Sequence, residues 1–169
     1  MKFRGEAYRA VREDASSTAP PHPQAAGRWN TPASHSALYL ALEQETALAE
    51  LQKHARSVGI PYGAWPIKSD LAYLTVHFSR IVDLSDESVR RRYGLTIAQI
   101  LSDDERDVET CRAVARQIFS EGYEGFVAPS AATRDGTGRT LNVFPENVSR
   151  DSHLAEYRRE PVRPDLLPA

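Results

Sequence analysis

The sequence predicts a single α+β domain, with small central mixed or antiparallel sheets flanked by helices. Three observations carry this prediction. The chain has 169 residues, which is the length of one ordinary domain. Hydrophobic residues make up 41% of it and charged residues 26%, as is usual for a folded globular protein. Candidate strands outnumber candidate helices and do not alternate regularly with them, which argues against a doubly wound parallel sheet.

The N-terminal part of the chain predicts two strands separated by a long loop. Residues 6–12 alternate between apolar and polar side chains, which favours a strand. Residues 15–26 are rich in small and polar side chains and predict a loop. Helix is excluded there by Pro20, Pro21 and Pro23. Residues 36–42 contain a short apolar run, which is typical of a buried strand.

Residues 43–58 predict an amphipathic helix. Its buried stripe would consist of apolar side chains at steps of three and four residues: Ala47, Leu48, Leu51, Ala55 and Val58. At about 100° per residue, Glu50 projects roughly 60° outside this stripe. We therefore expect the Glu50 carboxylate at the edge of the core, where a cleft could open.

The middle of the chain predicts a strand and a helix after a break. The break is indicated by Pro61, Gly63 and Pro66. Residues 71–84 alternate between apolar and polar side chains and favour one long strand. Residues 85–92 predict a helix that is capped by the serine at its start and has acidic residues in its first turn.

The last third of the chain predicts a second long helix and two short strands. The helix spans residues 103–121, and its apolar stripe contains Val108, Cys111, Ala115, Ile118 and Phe119. The strands are 126–128 and 140–144, joined by a polar loop at 133–138 that we expect to be mobile. Residues 161–169 are rich in proline and predict a tail after the core, within one domain that spans residues 1–169.

Composition narrows the classes of function. The net charge is −2, so there is no overall basic field, and direct binding of nucleic acid by this chain is not expected. No apolar run approaches the ~20 residues of a membrane helix, and the N-terminus lacks the apolar core of a signal peptide. The lone Cys111 cannot form an internal disulfide and is expected as a buried thiol. These features favour the reduced cytoplasm, with no membrane partner.

Four residues form the candidate site: Arg28, Tyr39, Glu50 and Ser130. A guanidinium matches phosphate oxygens, an aromatic ring suits a flat base, and a carboxylate suits a sugar hydroxyl or a developing cation. Each has an ordinary structural interpretation: a surface arginine on Trp29, a core tyrosine, a solvated helix glutamate and a turn serine. No single residue of the four indicates a function, but the four together suggest chemistry on a nucleotide sugar.

Other common sites are absent from the sequence. The histidines have no metal-ligand spacing such as His-Glu-x-x-His, so no metal is expected. There is no glycine-rich dinucleotide loop and no P-loop. Ser130 lies in no Gly-x-Ser-x-Gly motif, so a hydrolase elbow is not indicated.

The order of short motifs along the chain resembles that of the RES domain family. The resemblance covers roughly residues 6–160, and each motif alone is weak. The motifs are Tyr8-Arg9, Gly27-Arg28-Trp29-Asn30, Ala37 to Ala41, Glu45 to Glu50, Ile81 to Leu84, Gly122 to Phe126, Pro129 to Ala132 and Asn142-Val143-Phe144.

The resemblance implies a fold similar to ADP-ribosyltransferases of the diphtheria-toxin type and an activity on NAD as substrate. RES proteins are typically toxins of bacterial toxin–antitoxin pairs, whose antitoxins are of the Xre type. They hydrolyse or phosphorolyse NAD, or transfer ADP-ribose to a protein. The family's named residues correspond to Arg28, Tyr39, Glu50 and Ser130, and Trp29 and Asn30 beside Arg28 are also expected to contact NAD.

The proline-rich loop before Gly27 and the tryptophan at position 29 depart modestly from the family pattern. Glu45 is a second carboxylate nearby, and Glu50 is preferred for its Ala-Leu-Ala-Glu context. Two other hypotheses remain: a non-catalytic protein with a decayed NAD pocket, and a toxin that acts on RNA. A homodimer is a further possibility, although no apolar self-association surface is evident in the sequence.

Overall fold

The computed structural model describes residues 1–22, 24–60, 68–133 and 135–163. Pro23, residues 61–67, Arg134 and residues 164–169 lie outside the described residues. The predicted break at Pro61, Gly63 and Pro66, part of the polar loop and most of the predicted tail therefore cannot be compared with the structure.

Strands and helices follow one another in an order without regular alternation. The described strands are β1 (Phe3–Arg12), β2 (Leu38–Ala41), β3 (Ser69–Phe78), β4 (Ile81–Asp83), β5 (Gly125–Pro129), β6 (Arg139–Val143) and β7 (His153–Pro161). The described helices are α1 (Gln44–Ser57), α2 (Glu87–Arg92), α3 (Ile97–Leu101) and α4 (Glu105–Ser120), with a short 3-10 helix at Pro145–Asn147. The predicted α+β class is confirmed.

Within the described residues the strands form one mixed sheet of seven, in the order β4-β5-β6-β2-β1-β3-β7. The expectation of several small sheets is corrected to this single sheet. Strands β4 and β5 are parallel, and the other neighbours are antiparallel. Strands β1 and β3 are paired along their whole length, whereas β1 meets β2 only at the pair Tyr8 and Ala41. The two strands are therefore free to separate on either side of this pair.

The two faces of the sheet bury different apolar clusters. Along β5, Phe126 and Ala128 belong to the cluster that includes the apolar residues of α3 and α4, whereas Val127 belongs to the other cluster. This alternation follows from the two-residue period of a strand. Helix α1 packs over β1 and β2, and its Ala47 forms a small apolar cluster with Ala41 and Tyr73. The helices α1 and α4 thus flank one region of the same sheet face, and the candidate site lies there.

The long strand predicted at 71–84 is wrong as a single element. It divides into β3 and β4, which occupy distant positions in the sheet. Residues 79 and 80 turn the chain between them, and their backbone N–H groups donate to the carboxylate of Glu124. The turn is held by a residue more than forty positions away, so the local alternation gives no sign of it.

The other differences concern helix ends and weakly patterned elements. Helix α2 is capped by Asp86, whose carboxylate accepts from the N–H groups of Ser88 and Val89, and not by Ser85. Helix α1 ends at Ser57, so Val58 is 58% exposed and does not extend the buried stripe. Strand β7 was not predicted, because its side chains are mostly half-buried or exposed and charged.

Candidate functional site

A cleft with two adjoining lobes lies where β1 and β2 separate beneath α1. The first lobe is lined by β1, β2 and α1, and the second by residues 26–29, α1, α4 and the segment after β5. Four residues line both lobes: Tyr39, Glu50, His54 and Thr140. Each lobe has a volume of about 310 Å³, which together gives room for a ligand larger than a single ring system.

Tyr39 fixes the loop that carries Arg28. Its hydroxyl donates to Oδ1 of Asn30 at 2.7 Å and accepts from the backbone N–H of Trp29 at 3.1 Å. Burial raises the pKa of Tyr39 to about 12, so the phenol stays protonated at neutral pH and can donate. Gly27 passes so close to this hydroxyl that a Cβ at position 27 would collide with it. A glycine is therefore required by close approach.

Trp29 and Asn30 are both buried, and only one of them lines the cleft. The Trp29 indole is packed edge to face against Phe126, with ring centroids 4.9 Å apart, and it forms part of the second lobe. Asn30 is 1% exposed, and its side-chain oxygen accepts from Tyr39. Asn30 thus anchors the loop through its hydrogen bond with Tyr39 and does not line the cleft. Direct contact of these two residues with a ligand stays a prediction.

Glu50 and Ser130 are in direct contact. The hydroxyl of Ser130 donates to Oε1 of Glu50 at 2.6 Å and accepts from the N–H of Ala132 at 3.0 Å. Ser130 follows β5 directly and is 1% exposed, whereas Glu50 is half-buried and faces both lobes. The expectation that Glu50 lies at the edge of the core is confirmed. A buried hydroxyl fixes one oxygen of the carboxylate and orients it towards the cleft.

Arg28 reaches the second lobe but is held by protein groups. Its guanidinium donates from Nη1 to the carbonyl of Ser102 and from Nη2 to Oδ1 of Asp103, both at 2.6 Å. The ammonium of Lys53 donates to the same Asp103 oxygen at 2.7 Å. These bonds hold the pKa of Asp103 below its usual value, with the Lys53 hydrogen bond as the largest cause.

Most of the charged side chains that line the second lobe are cations. Arg28, Lys53 and Arg112 line it, against the single carboxylate of Glu50. Sequence reasoning missed Lys53 and Arg112. Lys53 stands three residues after Glu50 on the predicted helix, so helical periodicity could have placed the two side by side. Arg112 comes from α4 and donates to the carbonyl of Gly27 at 3.0 Å, a pairing for which the sequence offers no signal.

Tyr39→Phe should lower the free energy of unfolding by about 1–2 kcal/mol, because it leaves the buried Trp29 N–H and Asn30 oxygen without their partner. Chemical denaturation measures this difference. Tyr157→Phe is a matched control, since Tyr157 is 52% exposed and its hydroxyl donates to the carboxylate of Glu6. If both substitutions cost equally little, the hydroxyl of Tyr39 does not hold the loop.

Other site types find no support in the described parts of the chain. No three metal-ligating side chains come together in residues 1–22, 24–60, 68–133 and 135–163. Among the same residues, no helix is long and apolar enough to cross a membrane. Cys111 is fully buried, and burial raises the pKa of its thiol, so the expected buried thiol is confirmed.

Comparison with known proteins gives one family and a similar fold. The family model described as RES domain matches residues 6–163. A chain in the crystal structure of the M. tuberculosis MbcT-MbcA toxin-antitoxin complex has a TM-score of 0.84 to this chain at 22% sequence identity. The alignment covers 98% of this chain and 88% of that one. No curated protein matches the sequence.

Proposed function

The chain belongs to the RES domain family, and from that premise we propose that it breaks the bond between nicotinamide and ribose in NAD. The observation that carries the proposal is the position of Glu50. Its carboxylate is fixed by Ser130 at the junction of the two lobes, and the second lobe is lined by cations. A molecule with a ribose at the junction and a diphosphate beside the cations would satisfy both features.

The chemistry needs a carboxylate more than a proton donor. As the glycosidic bond breaks, its electron pair leaves with the nicotinamide ring, which becomes neutral. Positive charge then grows on the ribose, as in the oxocarbenium-like transition state of glycoside cleavage. A fixed carboxylate nearby stabilises this charge without reorganising during the step. We assign this role to Glu50, which can also accept a hydrogen bond from a ribose hydroxyl.

The other three residues have supporting roles in the proposal. Arg28 holds the diphosphate, because a guanidinium pairs with two phosphate oxygens at once. Tyr39 orients the ligand with its ring, which lines both lobes, and holds the Arg28 loop with its hydroxyl. Ser130 directs the Glu50 carboxylate, to which its hydroxyl donates.

The cellular role that fits this chemistry is that of a toxin, because removing NAD stops growth. We propose that an antitoxin, of the Xre type expected for the family, neutralises it in the cytoplasm, where NAD is available. The fold supports this proposal, since it is similar to that of a chain in the MbcT-MbcA toxin-antitoxin complex. Whether the chain forms a homodimer stays a prediction.

Purified protein incubated with NAD should release nicotinamide, and mass spectrometry should identify the ADP-ribose product. Parallel reactions with water alone, with phosphate and with cell lysate distinguish hydrolysis, phosphorolysis and transfer to a protein. NAD bound without release of nicotinamide would instead support a non-catalytic NAD-binding protein. Absence of both binding and product would reject the proposal and leave cleavage of RNA as the activity to test.

A further inference from the structure

We propose that the carboxylate of Asp103 stands in for the substrate's diphosphate, and that Lys53 is the second cation of the diphosphate site. In this view Asp103 competes with NAD for Arg28 and Lys53 and so sets the affinity of the site. The inference rests on the proposed function, because it concerns the same cleft, but it concerns binding and not bond breaking.

Arg28 and Lys53 converge on a single point. Arg28 belongs to the loop held by Tyr39, Lys53 belongs to α1, and both donate to the same oxygen of Asp103, at 2.6 and 2.7 Å. Lys53 lies one helical turn from Glu50 and also donates to the carbonyl of Ala131, just after Ser130. The two cations are thus already arranged around one anionic oxygen beside the catalytic carboxylate.

The charges at this point are unbalanced. Arg28 and Lys53 share the single carboxylate of Asp103, which can balance only one of their two charges. Arg112 lines the same lobe but is already paired with Glu105 and Glu109. A diphosphate carries about two negative charges and would neutralise Arg28 and Lys53 better than Asp103 does. The planar guanidinium can also pair with two phosphate oxygens.

The exposure of the three side chains fits displacement of Asp103. The Asp103 side chain is 69% exposed, whereas those of Arg28 and Lys53 are 15% and 35% exposed. Exposed carboxylates in ion pairs are held weakly, so Asp103 can turn towards solvent while the cations stay in place. Its pKa is lowered, so it remains ionised at neutral pH and competes throughout the physiological range.

Calorimetry with ADP-ribose tests the inference, because this ligand has the diphosphate but no scissile nicotinamide bond. Asp103→Asn should bind ADP-ribose roughly three- to tenfold more tightly, and Lys53→Met roughly three- to tenfold more weakly. Both differences should shrink as salt is added. Glu87→Gln is the control, since it removes one charge from an exposed ion pair with Arg91 on α2.

The direction of the Asp103→Asn effect separates competition from positioning. If Asp103 merely orients Arg28, the variant binds more weakly, and the inference is overturned. Unchanged binding in both variants, or no ADP-ribose binding by the unaltered protein, also overturns it. Tighter binding by Asp103→Asn together with no nicotinamide release by the unaltered protein would support the inference and reject the proposed cleavage.

Discussion

Glu50→Gln should lower kcat for NAD cleavage about 10²- to 10³-fold and leave KM nearly unchanged. The substitution removes the negative charge but keeps the shape, and an amide oxygen can still accept from Ser130. Loss of one fixed electrostatic group facing the charge of a transition state has a cost of this size. Because the charge develops only during bond breaking, the effect falls on turnover and not on binding. Steady-state release of nicotinamide measures both constants.

Glu45→Gln is the matched control, since Glu45 is an exposed carboxylate in the first turn of the same helix. It should cleave NAD at the unaltered rate. Ser130→Ala should lie between the two, with kcat reduced about tenfold, because it removes one hydrogen bond to a charged group. If Glu50→Gln turned over NAD as fast as Glu45→Gln, the assignment of Glu50 would be wrong.

The sequence predicted the elements that carry their own local pattern. Helix α1 shows a clear apolar stripe, and the position of Glu50 beside that stripe was confirmed. The strands around Tyr39 and before Ser130 are short apolar runs with clear ends, and they were found within about two residues. Where a residue's position follows from its own neighbours in the chain, sequence reasoning located it.

The parts that were missed depend on partners far away in the chain. The turn that divides β3 from β4 depends on Glu124. The guanidinium of Arg28 is held by hydrogen bonds to Ser102 and Asp103, more than seventy residues later in the chain. The contact of Ser130 with Glu50 spans eighty residues. No periodicity encodes such pairs, since each partner alone resembles an ordinary surface or turn residue. The resemblance to the family placed the four site residues in order but gave none of these contacts.

Glu124 illustrates this limit and carries the largest expected effect on stability. Its side chain is 1% exposed, and its two oxygens accept from four donors. One oxygen accepts from the N–H groups of Ser79 and Arg80 at 2.7 and 2.9 Å, and the other from the N–H of Ser149 at 2.8 Å and the hydroxyl of Ser152. It thereby joins the β3–β4 turn to the segment before β7.

Glu124→Gln should lower the free energy of unfolding by about 3 kcal/mol, because the amide NH₂ would face donors and leave buried N–H groups unpaired. For a domain of this size the melting temperature should fall roughly 6–12 °C. Glu121→Gln is the control, since Glu121 is exposed and its carboxylate accepts, among the described residues, from the side chains of Tyr93 and Gln117. Equal losses in the two variants would contradict the role of Glu124.

The difference in free energy of unfolding between Glu124→Gln and the unaltered protein should also depend on pH, and it should become smaller in acid. Burial alone would raise the pKa of Glu124, but the Ser152 hydroxyl and the three backbone N–H groups hold it below its ordinary value of 4.5. A lowered folded-state pKa stabilises the protein fully above the unfolded-state pKa, and this contribution is lost as the pH falls through the folded-state pKa. The stability difference measured by denaturation should therefore be constant from pH 7 to about pH 5 and shrink below pH 4.5. A difference that stayed constant into strong acid would mean that the charge of Glu124 does not contribute, and that shape alone explains the loss.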